Sequence, residues 1–172
     1  PAPPQPSAWP GLGLARSTAP LRAGCPEQMR TTEKKWLPST AAREVFSCAF
    51  FRAASYLTDG SLKAVDLDKL AVDVSRENFA LNNLENRIEV EEASLLTKET
   101  KKYDVIVANI LAHIIELMLE DAYKLLEDSG YFITSGIIKD KKDELLEKML
   151  KQGFKLVEET SDNEWYSFVV TK

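Results

Sequence analysis

Two positions in this sequence join a hydrogen-bonding side chain to the end of an apolar, strand-like run. Asp66 closes Leu62-Lys63-Ala64-Val65-Asp66, and Asn109 closes Tyr103-Asp104-Val105-Ile106-Val107-Ala108-Asn109. A carboxylate at a strand end can accept hydrogen bonds from both hydroxyls of a ribose, the contact that holds adenosine cofactors in open α/β sheets. The plainer reading makes Asp66 a turn residue and Asp68 a helix cap. A carboxamide offers one acceptor and one donor group, so Asn109 could orient an amine; the plainer reading makes it the cap of the helix that follows. His113, on the first turn of that helix, could act as a base but equally fits a surface position. Lys139–Lys142 reads as a solvated helix start, and Trp165-Tyr166 as sheet packing. One histidine and two cysteines, Cys25 and Cys48, build no metal-ligand spacing and no disulfide framework.

The elements that must position these residues begin at Leu62. A short strand runs to Asp66, and Asp68 opens a helix to about Leu81, with Leu70, Ala71, Val74, Phe79 and Leu81 available for burial. Asn82-Asn83 is its stop. Arg87–Glu91 reads as a strand and Ser94–Lys102 as a polar connection. Tyr103–Ala108 is apolar enough for a central strand buried on both faces. A helix over about Leu111–Glu127 would use Ile114, Ile115, Leu117, Met118, Ala122, Leu125 and Leu126. Asp128-Ser129-Gly130 turns into a strand at Tyr131–Ser135. Lys139–Gln152 is an amphipathic helix with Leu145, Leu146, Met149 and Leu150 inward, ended by Gly153. Phe154–Glu159 and Glu164–Thr171 are adjacent strands. The order β-α-β-β-α-β-α-β-β predicts a mainly parallel sheet with helices on both faces and a C-terminal antiparallel hairpin.

Upstream the texture differs. All eight prolines lie within residues 1–38, and up to about residue 40 no apolar period is sustained. Residues 1–40 therefore read as a disordered or aberrant segment, and 41–172 as one domain, with a possible helix at Ala41–Tyr56. Residues 1–52 carry seven Lys/Arg against three Asp/Glu, a balance of +4; the remainder carries fifteen against twenty-four, −9. An acidic body argues against broad phosphate-backbone binding and favours a basic partner. No apolar run approaches the ~20 residues of a membrane span. The N-terminus lacks a signal-peptide pattern, and the cysteine usage fits a reducing compartment, so the expected location is the cytoplasm.

Ala64-Val65-Asp66-Leu67-Asp68, Ala71–Asn82, Tyr103–Leu111, Ser135-Gly136-Ile137 and Glu164-Trp165 together resemble the catalytic domain of the ribosomal protein L11 methyltransferase (PrmA) family. The resemblance covers about residues 53–172. It implies a class I, Rossmann-like methyltransferase fold that uses S-adenosylmethionine. It implies cofactor contacts at Asp66, Leu67, Ser94 and Asn109, with Ser94 near the adenine and Asn109 lining the methyl-transfer site. The implied substrate is a basic ribosomal protein of the large-subunit stalk base, methylated on neutral amines without a metal. Neither nucleic acid nor membrane is an expected partner, and a monomer is expected. A nicotinamide oxidoreductase would also use a strand-end acid, but the Asn109-Ile110-Leu111 run and the terminal hairpin count against it.

The family pattern departs at one place. Its first strand ends in a glycine-rich loop, whose bare backbone lets the cofactor approach, yet no glycine occurs between Cys25 and Asp59. The expected fold therefore has its first strand and glycine loop missing or degraded, and the expected function is impaired. The alternative function is a non-catalytic binding module. Codons permitted for Trp36–Ser47, read two bases out of frame, can spell Val-Thr-Val-Asp-Gly-Gly-Thr-Gly-Ser-Val-Leu. On this reading residues 1–52 derive at least partly from a frameshift.

Overall fold

A computed structural model describes residues 12–16 and 60–172. The possible helix at Ala41–Tyr56, both cysteines and the out-of-frame stretch lie outside the described residues. Seven strands form one sheet: β1 (Leu12–Arg16), β2 (Ser61–Asp66), β3 (Ile88–Glu92), β4 (Tyr103–Asn109), β5 (Leu126–Ile138), β6 (Lys155–Asp162) and β7 (Trp165–Thr171). Three described helices connect them: α1 (Lys69–Leu81), α2 (Ala112–Leu125) and α3 (Lys139–Gln152). The strand order is β3-β2-β1-β4-β5-β7-β6.

From Ser61 onward the element order is the one the sequence predicts, including the antiparallel β6–β7 hairpin. The central slot differs. Leu12–Arg16 fills the place between β2 and β4 and pairs antiparallel with both. Five strands thus share one direction while β1 and β7 oppose them, so four of the six described pairings are antiparallel. The slot is occupied by a reversed segment. Leu-Gly-Leu-Ala-Arg is too short to show a period. It is selected because two strands would otherwise leave their backbone N–H and C=O groups unpaired on either side of the slot.

Side-chain alternation sorts the core into two layers. Val65, Ile106, Ala108 and Phe132 pack with Ile115 and Met118 of α2 and Leu145 and Met149 of α3. Leu62, Ala64 and Ile88 pack with Phe79 of α1 on the other face. Helix α1 starts where its cap allows: the Asp68 side chain accepts a 2.8 Å hydrogen bond from the Leu70 N–H. It ends at Asn82, whose Nδ2 donates to the Asn78 carbonyl at 2.8 Å, and Asn83 follows at φ 57°. Its buried residues are Ala71, Val72, Asn78 and Phe79, whereas the expected Leu70 and Leu81 are exposed. Leu117 of α2 and Leu150 of α3 are likewise exposed rather than inward. Asp128–Gly130, read as a turn, lies inside β5, where the pairing with β4 jumps from Tyr103↔Leu126 to Val105↔Tyr131. Gly130 suits that jump because a Cβ there would stand 2.8 Å from the Asp104 carbonyl oxygen.

The amino-terminal edge of the sheet is clamped by Lys63. Its Nζ lies 2.6 Å from Glu91 and 2.7 Å from Glu99, and Glu99 also accepts the Tyr103 hydroxyl. The Lys63 and Glu99 side chains are only 15% and 6% exposed, so each is left with a desolvated charge if its partner is removed. Burial alone would lower the Lys63 pKa, but hydrogen bonds to Glu91 and Glu99 reverse this and hold it above the usual lysine range. Burial and then Glu99 raise the Tyr103 hydroxyl as well. Both groups bind their proton more tightly folded than unfolded. Their stabilisation is complete below the ordinary tyrosine and lysine values, 10.0 and 10.5, and is lost as pH rises past them. Lys63→Met is expected to cost roughly 3 kcal/mol at neutral pH and to flatten the alkaline fall in stability, both read from urea midpoints measured across pH.

Candidate functional site

The antiparallel pairing of β1 fixes how Asp66 and Asn109 stand to each other. Leu12 is opposite Val65 on one side and Ala108 on the other. Asp66 and Asn109 are therefore level, each one residue further toward the carboxyl ends of β2 and β4. They are about 10 Å apart, two strand spacings. Beyond them Asp66 pairs with Glu92 of β3, and Asn109 with Ser135 of β5. One row across the sheet thus presents Glu92, Asp66, Asn109 and Ser135. By alternation all four belong to the face that carries α1, since Leu62 and Ala64 precede Asp66 on that face.

Each member of the row sits differently. Asp66 is half-buried, and its Oδ1 accepts from the Asp68 N–H at 2.8 Å, an Asx-type turn bond. The turn reading and the ligand reading are thus compatible, because a carboxylate has further lone pairs to offer. Burial pushes the Asp66 carboxyl above its ordinary value and the Asp68 N–H partly offsets this, while the Asp68 charge adds to the rise. The backbone carbonyl of Asp66 accepts from the Ala93 N–H at 3.0 Å, which brings the exit of β3 against it. Ser94, the next residue, is exposed there, and Leu95 follows at φ 50°. Leu67 projects as an exposed apolar side chain, 71% accessible.

Asn109 is 8% exposed, and its carboxamide makes no hydrogen bond among the described residues. The capping alternative does not hold: the N-cap of α2 is Leu111, with no side-chain cap bond. The chain runs on through Ile110 before the helix starts, so Asn109 stays in the strand. Gly136 lies beside it, at φ +79°, where a Cβ would meet the Asn109 Oδ1 at 3.2 Å. That contact is not legible in the sequence, although Ser135-Gly136-Ile137 is one of the stretches that carry the family resemblance.

The other candidates lie apart from the row or are already engaged. His113 is exposed on the first turn of α2. Lys141 pairs with Glu144 at 2.9 Å; Lys142 pairs with Glu159 at 2.7 Å and lies 4.9 Å from the centre of the Tyr166 ring. No group of three or more His, Cys, Asp or Glu that could hold a metal occurs among the described residues. No described helix is long and apolar enough to cross a membrane. A cavity of about 240 Å³ opens at the opposite, amino-terminal edge between Lys63, Glu99 and Tyr103. None of the four residues of the row lines that cavity.

Known proteins bear on this geometry. The family model described as ribosomal protein L11 methyltransferase (PrmA) matches residues 50–172. A ribosomal protein L11 methyltransferase of Staphylococcus carnosus is 55% identical over 111 residues, 64% of this chain and 36% of its own length. That of Staphylococcus aureus strain MRSA252 is 40% identical over 165 residues, 95% of this chain and 52% of its own. The chain therefore spans from about a third to about half the length of these relatives. Among solved structures, ribosomal protein L11 methylase from Lactobacillus delbrueckii subsp. bulgaricus superposes with a TM-score of 0.68 at 26% identity, covering 73% of this chain and 65% of that one.

The raised Asp66 pKa means that its charged form is disfavoured by folding at neutral pH. Asp66→Asn keeps an acceptor for the Asp68 N–H and removes the buried charge. The melting temperature at pH 7 is expected to rise in this variant, and the gain to shrink as pH falls toward the carboxylate range, as followed by circular dichroism.

Proposed function

The chain belongs to the ribosomal protein L11 methyltransferase family, and from that premise we propose that it is the catalytic portion of an S-adenosylmethionine-dependent protein N-methyltransferase, weakened by loss of its glycine loop. The observation that carries this reading is the level placement of Asp66 and Asn109 on one face of the sheet edge. The substrate in this proposal is the basic ribosomal protein L11, which the acidic body of the chain suits, and the setting is the cytoplasm.

The residues present fit the cofactor in part. Asp66 would accept from the ribose hydroxyls with the lone pairs its turn bond leaves unused. Leu67 offers an exposed apolar surface for the adenine, with Ser94 close by at the exit of β3. Asn109 has a carboxamide, unengaged among the described residues, to accept an amine N–H and fix the direction of its lone pair. When bound, the cofactor supplies a sulfonium methyl that is already activated. A carboxamide takes up no proton at neutral pH, so the amine must arrive neutral or lose its proton to water.

The fit fails at the slot. A glycine loop would have to leave the carboxyl end of a strand parallel to β2 and β4, whereas the reversed β1 brings its first residue, Leu12, to that edge. Asn78 gives a second sign. Its Oδ1 is buried on α1 and has no hydrogen-bond donor among the described residues, a costly state for an amide oxygen. The frameshift reading of residues 1–52 accounts for both features. The family match beginning at residue 50 supports it; the S. aureus relative aligns over 95% of the chain, which includes residues upstream of 50. Coding DNA in which no small insertion or deletion restores the loop would contradict it.

The reversed β1 also favours a second reading, a non-catalytic domain that keeps the fold and binds a partner. Calorimetric titration with S-adenosylmethionine separates the two. The enzyme reading expects weak binding to the 172-residue chain that vanishes in Asp66→Ala. A folded chain that binds no cofactor overturns it and leaves the binding module.

A further inference from the structure

We infer that Gly136 is a positioning residue for Asn109, setting where its carboxamide lies; this rests on the reading of Asn109 as the site that orients the acceptor amine. A buried amide is normally held by hydrogen bonds; that of Asn109 has none among the described residues, and among these its position is set by packing. The backbone at Gly136 lies close to its oxygen. A Cβ built on Gly136 would stand 3.2 Å from the Asn109 Oδ1 and 3.3 Å from the Ile110 carbonyl oxygen, tighter than ordinary contact on both sides.

The strand pairing explains why this backbone comes so close. Pairing between β5 and β7 shifts register between Thr134 and Ile137, and Gly136 lies within that irregularity at φ +79°. The irregularity falls directly after the Asn109↔Ser135 pair, where β5 still lies beside the end of β4. Any side chain at 136 must displace either the Asn109 amide or the backbone at Ile110, and the amide is the softer of the two. Gly136 therefore acts on the acceptor through Asn109 and need not touch it.

Gly153 provides a matched control. It too has a positive φ, 108°, and a Cβ there would be 3.1 Å from the Tyr123 hydroxyl, remote from Asn109. The experiment records the side-chain amide resonances of Asn109 in the full chain, assigned by their loss in Asn109→Asp. Gly136→Ala is expected to move them by more than a line width, and Gly153→Ala to leave them in place. Unmoved resonances in a folded Gly136→Ala protein overturn the inference. Should Gly136→Ala fold poorly, the cycle with Asn109→Ala decides: the loss in melting temperature from Gly136→Ala should shrink in the Asn109→Ala background, and an undiminished loss contradicts it. Neither measurement uses cofactor, so absence of cofactor binding would sink the enzyme reading while leaving this one standing or falling by itself.

Discussion

A sheet with α1 on one face and α2 and α3 on the other holds together only if its middle is continuous. Strands β2 and β4 both face the slot that β1 fills, and each would otherwise present a row of unpaired peptide groups between two packed layers. Five residues, Leu12–Arg16, satisfy both edges at once. Without them β2–β3 would be a lone parallel pair, the least self-sufficient kind of sheet, cut off from the four strands β4-β5-β7-β6. The hydrogen bonds of β1 therefore do more than add a strand. They set the register between the two halves of the sheet and hence the level of Asp66 with Asn109.

The same strand limits what that edge can do. Backbone pairing accepts either direction, but a cofactor loop does not, because it must leave the sheet where the parallel strands end. The reversal keeps the sheet continuous and the polar row aligned, and in the proposed reading it takes the place from which a glycine loop would depart. The packing tolerates either strand polarity in this slot, whereas the cradle of the proposed cofactor would depend on it.

Much of the fold was legible because local rules and global packing agreed. Asp68 capped its helix, Asn82-Asn83 stopped it, Gly153 ended α3 with a positive φ, and the apolar run Tyr103–Ala108 became a central strand. The errors lie where a residue's fate is decided by distant partners. Leu70 and Leu117 fit a helical period but lie outside the stripe that meets the sheet. Leu12–Arg16 has no pattern of its own and is defined by the two edges it joins. In the site, Asp66 and Asn109 could be picked out as strand ends with suitable chemistry. Their common level could not, since it depends on a register running through β1. The closeness of Gly136 to Asn109 was equally hidden, because it arises from a bulge in β5 that no local signal announces.

The most direct test of this account is native-state hydrogen exchange of the β2 and β4 amides, with Leu14→Pro beside the unaltered chain. Proline removes one backbone donor from the middle of β1 and adds no new pairing. If β1 joins the two halves, protection should fall together in β2 and β4 while the β6–β7 hairpin keeps its own. Unchanged protection in β2 and β4 would show that Leu12–Arg16 does not hold the centre of the sheet, and the level placement of Asp66 and Asn109 would lose its basis.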